Sequence, residues 1–455
     1  MRASFLSLPQ ELTEHALVQA EDPRILAAVA QCSKYLYSIV YSSGDQHLWR
    51  SVFLSIFDDI RGDGNAKVDW KSLLQKRIRA RSLLESKQHG YSTTTLSLEE
   101  RTAVLGTLID VVCTASPVQI SEVDGERNTS KNIRWVSKFI DDCTDVLFPT
   151  HSDSLMVSPA TALTARLRAY TGLHFEAKRW YIHEPRTISR AFVYDLRNYT
   201  EETSWGPFLP NGGGINWIHI DHLMRVICTN AEEYNHSMIH LPTGLECTRP
   251  YSAPESHARE PGDWAGVEGT WRRIICFMDY RDLFAYNFRN PAGRSEDGAH
   301  LNTNIFESDF FGEAFRVLEM ELYITSIGDP PPSPSPSLTY SDEEEDVYSD
   351  PNRPTIYFEG KSDGGTPNES RIRGSVTAMP CGGIQWKLVS SYAGQERWCS
   401  SGAQVGGAGS AVGVVGAWSS VDHAPMDPSG PFWLWKQPAK PDERDMIGMH
   451  SFHGL

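Results

Sequence analysis

Between residues 5 and 60 apolar side chains return every three or four positions, in three short bursts. Ile25, Leu26, Val29 and Ala30 form the first, Tyr35, Leu36, Ile39 and Val40 the second, and Leu48, Trp49, Val52, Phe53 and Ile56 the third. Each spacing predicts one face of a helix, and Asp22-Pro23, Ser33 and Asp45 stand where N-caps belong. Ahead of them Leu8-Pro9 is followed by Leu12, although chain ends are normally polar and frayed. So short a segment buries little of its own surface, so these apolar faces predict a docked partner.

The helical period continues through Leu98, Val104, Leu105, Leu108, Ile109 and Val112, and again through Ile133, Val136, Phe139, Ile140, Val146 and Leu147. Near residue 188 the pattern changes. Residues 188–196 are apolar and rich in strand-forming types, and a helix is expected over about 216–229 with Ile220, Leu223, Met224 and Ile227 on one face. Residues 270–280 form an apolar run fit for a strand covered on both faces. In 317–324, Leu318, Met320, Leu322 and Ile324 alternate with Glu319 and Glu321. Further strands are expected at 355–359, 371–377, 384–389, 403–405, 412–418 and 432–435. Their short connections, among them Cys381-Gly382-Gly383, force antiparallel neighbours. A barrel or strongly curled sheet disposes of so many edges.

The fold class expected is therefore α+β and multi-domain. A three-helix module spans 5–60 and a helical spacer 61–172; a β-rich domain runs over 173–327 and resumes over 354–436, with a flexible tail at 437–455. Residues 328–353, rich in Pro, Ser and acid, hold too little apolar area to fold and read as a disordered insertion. Within it Ser333, Ser335 and Ser341 stand in contexts that admit phosphorylation, against the plainer reading of a solvated loop.

The 455 residues are 40% hydrophobic and carry a formal charge of -16, which argues against a nucleic-acid partner. Eight scattered cysteines show no zinc spacing and read as reduced thiols. No signal peptide and no run of roughly 18 apolar residues is visible, so the expectation is a cytoplasmic or nuclear protein without a membrane partner.

Chemistry-bearing motifs are few. Gly407, Gly409 and Gly413 mimic a dinucleotide loop, but no helix can follow before Trp418, and glycines in a sharply bent barrel strand explain them better. His219, Asp221 and His222 could suggest a metal site or an acid-base pair; their place at a helix start favours surface and capping roles. No cofactor is expected, and no catalytic residue. Large rings interleaved with polar side chains mark the β-rich region instead: Trp271, Arg272, Trp386, Arg397, Trp398, Gln404 and Trp418 are candidates to contact a target, with barrel packing as the alternative for each tryptophan.

The N-terminal residues resemble a known family. Leu8-Pro9-x-Glu11-Leu12, Leu26, Val29, Cys32-Ser33-Lys34-Tyr35 and Asp45-x-x-Leu48-Trp49-Arg50 are similar to an F-box, as is Asp69-Trp70-Lys71 opening the helix that follows. Tyr35 departs from the tryptophan common at its position. Val193-Tyr194-Asp195-Leu196, Trp205-Gly206-Pro207, Gly269-Thr270-Trp271, Ile356-Tyr357-Phe358 and Gly416-x-Trp418 resemble C-terminal domains of fungal F-box proteins and, more distantly, the lipocalin-like barrel of an animal F-box-only protein. The resemblance implies a non-catalytic substrate receptor that binds the Skp1 adaptor, and through it a cullin, and presents a protein target for ubiquitin transfer. Leu8, Pro9, Leu12, Leu26, Val29, Tyr35, Leu48 and Trp49 would then touch Skp1. Two rivals remain at this stage: a small-ligand barrel with a helical lid, and a hydrolase around His219 and Asp221.

Overall fold

A computed structural model describes residues 8–20, 22–42, 44–60, 68–88, 96–121, 125–143, 147, 159–172, 183–233, 239–289, 303–308, 311–331, 350–363 and 370–439. Most of the acidic insertion and of the C-terminal tail lies outside them, with Ser333, Ser335 and Ser341. The chain divides into two compact units, Met1–Ser116 with Ser121–Leu167 and Pro117–Ile120 with Arg168–Leu455.

The first unit is helical. It contains α1 (Gln10–Val18), α2 (Ile25–Ala30), α3 (Lys34–Tyr37), α4 (His47–Ile56), α5 (Trp70–Gln88), α6 (Leu98–Cys113) and α7 (Lys131–Asp142). Ser33 caps α3 by accepting from the Leu36 amide at 3.1 Å, and Asp69 caps α5 through Ser72 at 3.1 Å. Its core is aromatic: Trp70 meets Phe53 edge-on at 5.2 Å, and the buried Arg77 lies over the rings of Phe53 and Phe57 at 4.8 and 4.5 Å. Asp58 binds this core together. Its carboxylate accepts from the amides of Ser116 and Lys131 at 2.9 and 2.8 Å and from the Ser130 hydroxyl.

The division between units falls within α8 (Pro159–Thr171). In the second unit α9 (His183–Val193) occupies part of the stretch expected to be a strand. Ser189, Arg190 and Val193 are buried there while Ile188 is 46% exposed, a one-sided helical pattern that overrides the β-branched composition. α10 (Trp217–Glu233) packs on α9 and covers part of the barrel wall; α11 is Tyr280–Phe288.

Eight strands close into an antiparallel barrel with each strand beside its sequence neighbours: β1 (Gly269–Met278), β2 (Glu313–Ile327), β3 (Ile356–Asp363), β4 (Ser370–Ala378), β5 (Ile384–Tyr392), β6 (Gln395–Gln404), β7 (Val414–Ser420) and β8 (Ser429–Lys436), which pairs back with β1. The expected barrel is thus realised as a complete ring. Gly382, at φ +79°, turns the β4–β5 hairpin, with Gly382 N–H donating to Met379 at 2.9 Å. Gly402 and Gly416 oppose each other across β6 and β7, and a Cβ on Gly416 would sit 2.2 Å from the Ser401 carbonyl. Glycine therefore lets these strands and the Phe432 ring approach, the structural role expected for glycines in this region. The acidic insertion falls between β2 and β3, where Gly328 N–H bonds to Thr355 O at 2.8 Å and ties its two ends together.

Every residue of β8 is buried. Phe432 and Leu434 face the barrel core, while α10 packs on the strand from outside and covers the opposite face, which carries Trp433 and Trp435. The same double cover explains the apolar residues 274–278 of β1.

Candidate functional site

Strand alternation decides which side chains enter the barrel. Trp271 on β1 meets Trp386 on β5 at 5.2 Å and 61°. These strands stand on opposite sides of an eight-membered ring, so the two indoles meet across the lumen. Trp271, Arg273, Ile275 and Phe277 consequently point inward, and Arg272, Ile274, Cys276 and Met278 outward.

The lumen has two halves. Its lower half is packed solid by Trp271, Trp386, Phe358, Leu322 and Leu434, and closed by Trp264, Ala265 and Val267 from the segment before β1. Toward the upper end serines join the apolar inward rows. Ser362, Ser370, Ser390 and Ser400 occupy inward positions by register, each at most 7% exposed. Among them lies Arg273, 6% exposed. Its Nη2 donates to Ser400 Oγ at 2.6 Å, and its guanidinium lies 4.8 Å from the Phe432 ring. Burial lowers its pKa to about 10, so the group stays charged at neutral pH. Among the described residues no carboxylate pairs with it, and its Nε is buried without a hydrogen-bond partner.

Aromatic rings form the upper rim. Trp398 and Trp418 meet perpendicularly at 5.3 Å, Phe277 approaches Trp418 at 6.4 Å, and Arg316 lies over Phe277 at 5.4 Å. Trp418 is anchored through Nε1 to Cys276 O at 3.1 Å. Phe277 and Trp398 remain half-buried and Arg316 exposed. These rings pack onto the same apolar cluster that fills the lower lumen.

The structure divides the candidate target-binding residues. Trp271 and Trp386 floor the lumen and Trp398 and Trp418 rim it. Gln404 is inward but buried, donating to Ser410 Oγ at 2.8 Å to hold the 405–413 turn. Arg272 points outward and pairs with Glu319 at 3.3 Å. Arg397 is the extra residue of a bulge, since Ser390 opposes Trp398 while Ser391 opposes Glu396, and it is exposed. Arg272 rather than its neighbour Arg273 was the candidate, and only the meeting of Trp271 with Trp386 fixes which of the two points inward.

In the helical unit Leu12 is 54% and Tyr35 39% exposed. Pro9 is exposed as well, and Leu8 and Val29 are half-buried. Leu26, Leu48 and Trp49 are at most 7% exposed. They close the unit's own core, with Trp49 Nε1 donating to Val40 O at 2.8 Å, and present no surface to a partner.

His219 and Asp221, expected near the surface, are 2% and 5% exposed. Burial drives the His219 pKa down to about 3. Its Nε2 lies 3.3 Å from the Tyr199 hydroxyl, which donates to Val193 O at 2.6 Å. Asp221 instead binds Arg168 at 2.7 Å. Each is held by a different partner, with the geometry of helix packing. No group of three metal-ligating side chains occurs among the described residues. No protein-family model, curated protein or solved structure matches the chain.

Proposed function

We propose that the chain is the substrate-recognition subunit of a Skp1-cullin-F-box ubiquitin ligase. In this reading α1 to α3 dock on Skp1 and the barrel holds the target. The observation that supports it is the apolar surface at the head of the helical unit. Leu12 and Tyr37 are 54% exposed, Ile25 42% and Tyr35 39%, four of twelve large apolar side chains so exposed among the described residues. A single exposed leucine means little, whereas this concentration within 37 residues marks a contact surface. The Tyr35 hydroxyl donates to Leu8 O at 3.2 Å, so Leu8, Pro9 and Tyr35 share one neighbourhood, with Leu12 one turn along.

The chain then contributes proximity. Holding a target near a charged ubiquitin carrier raises an effective concentration and requires no catalytic side chain here. Co-expression with Skp1 tests the reading, comparing wild type with a Pro9→Ala, Leu12→Asp double variant. Both positions are exposed, so folding should change by less than about 0.5 kcal/mol per surface site. Wild type is expected to co-purify with Skp1 and the variant to lose it with an unchanged circular dichroism spectrum. A wild type that fails to co-purify, or a folded variant that still binds, overturns the assignment.

A further inference from the structure

We infer that a groove on the outside of the barrel's lower end receives this chain's own C-terminal segment, with Met446, Ile447 and Met449 against its rings. The groove lies outside the lumen, and its test contains neither Skp1 nor a target, so this inference and the proposed function can fail separately.

The groove is built on the glycine-rich stretch that mimics a dinucleotide loop. A Cβ on Gly407 would stand 2.6 Å from Pro250 Cγ, and one on Gly409 3.0 Å from the Tyr251 ring. Glycine lets residues 250–253 lie this close, where Tyr251 N–H donates to Ala408 O at 2.8 Å and Ala253 N–H to Gly409 O at 3.0 Å. That loop carries two bulky residues in the left-handed region, Tyr251 at φ 57° and Glu255 at φ 59°. Such backbone costs of order 1–3 kcal/mol per residue and persists where the surroundings hold it. Between the loop and the segment before β1 opens a cavity of about 410 Å³, whose walls include Tyr251, His257, Arg259, Pro261, Trp264 and Pro354. The walls are braced. Arg259 lies over the Tyr251 ring at 3.7 Å, and Trp264 Nε1 donates to Pro354 O at 2.7 Å.

The occupant follows from where the described chain leaves the barrel. The left-handed Glu255 accepts from the Ala439 amide at 2.8 Å, so the last described residue is bound beside the groove wall that His257 and Arg259 form. Residues 440–455 continue from that point as KPDERDMIGMHSFHGL. Ile447 lies eight residues past Ala439, a reach of at most about 28 Å. Its neighbours Met446 and Met449 are unbranched thioethers, which fill irregular apolar gaps and make favourable contacts with aromatic rings. The groove offers two rings and two prolines for them. Asp442, Glu443 and Asp445 precede the apolar residues, and Arg259, which gives one N–H to Ser256 O at 2.6 Å, has further donors for a carboxylate. Lys440 and Arg444 in the same segment suit a rim that also carries Glu260. A tether this short holds the segment at about millimolar effective concentration, so a weak contact suffices.

Photo-crosslinking in the full chain tests this, with Ile447→p-benzoylphenylalanine as the probe and peptide mapping by mass spectrometry as the readout. Irradiation should attach residue 447 to residues 251–264 of the same molecule. Met446→Asp with Met449→Asp in the probe-bearing chain should lose most of that product, because carboxylates are poor partners for the rings while the tether is unchanged. These substitutions lie beyond Ala439, and circular dichroism checks that the fold is the same. Attachment elsewhere, or none, overturns the inference. A cross-linked dimer does so too, by giving the groove to a second copy, as does an Asp variant that keeps its yield, by reducing the contact to mere tethering.

Discussion

The barrel's seam between β6 and β7 makes a sharp prediction about a single methyl group. Gly416→Ala would place Cβ 2.2 Å from Ser401 O, 2.4 Å from Gly402 Cα and 2.8 Å from Phe432 Cε1. The first two are backbone atoms held in the strand pairing, so relief requires parting β6 from β7 and moving the Phe432 ring that underlies Arg273. Adding one methylene to a packed core costs about 1–3 kcal/mol, and with backbone on two sides the upper end of ~3 kcal/mol is expected. Gly382→Ala is the control: φ is +79° but nothing lies within 4 Å of the new Cβ, so only the left-handed penalty of about 1–2 kcal/mol applies. Urea unfolding followed by tryptophan fluorescence would read both, since Trp271, Trp386, Trp418, Trp433 and Trp435 are buried in the barrel. If Gly416→Ala costs no more than Gly382→Ala, the close approach of these strands, and with it the shape of the upper lumen, is wrong.

Three further outcomes follow from the buried polar groups. Glu313, with its side chain 3% exposed, bonds Arg190 at 2.7 Å and accepts from Tyr194, so Glu313→Gln should cost about 3 kcal/mol in an unfolding experiment by stranding Arg190. For Asp58, burial alone would raise the pKa, but hydrogen bonds from Ser130, Ser116 and Lys131 together hold it below the ordinary value. The carboxylate therefore stabilises the fold above pH of about 4 and loses this as pH falls through its depressed pKa; Asp58→Asn should flatten the acid limb of melting temperature against pH below that point. His219 works over a higher window: folded, it stays neutral down to about pH 3, whereas the unfolded chain takes up a proton near the ordinary imidazole value of 6.5. Stability present above pH 6.5 is lost as pH falls toward 3, and His219→Phe, packed against Phe192 and Tyr199, should remove that slope in the same melts.

The sequence displays the barrel plainly wherever a strand has one wet face. In β5, Ile384, Trp386 and Leu388 alternate with Gln385 and Lys387, and the burial follows that alternation. β2 is legible for the same reason. The expected strand near 188 fails because it was read from composition, whereas the spacing of Ser189, Arg190 and Val193 carries a helical face made partly of polar residues. Leu26, Leu48 and Trp49 were indistinguishable by type from Leu12 and Tyr35. An apolar stripe does not say which members meet the chain's own core, and only the packed unit sorts them. His219 and Asp221 misled differently, since polar residues at a helix start read as surface until α10 is seen to lie with that end against Tyr199 and Arg168.

Arg273 was hidden by the double cover of β1. Where both faces of a strand are buried, apolar residues stand on both, and two adjacent arginines give no sign of which one enters the lumen. Closure of the ring resolves it, because the meeting of Trp271 with Trp386 fixes the inward parity for the whole strand. Outside, Arg272 answers Glu319 and is an ordinary surface pair of small energetic consequence. Inside, Arg273 has no carboxylate partner among the described residues, in a chain whose formal charge of -16 supplies acids in abundance. An apolar side chain at that place would pack beside Phe432 without the desolvation cost of a cation. A fold that keeps the charge there gives up stability.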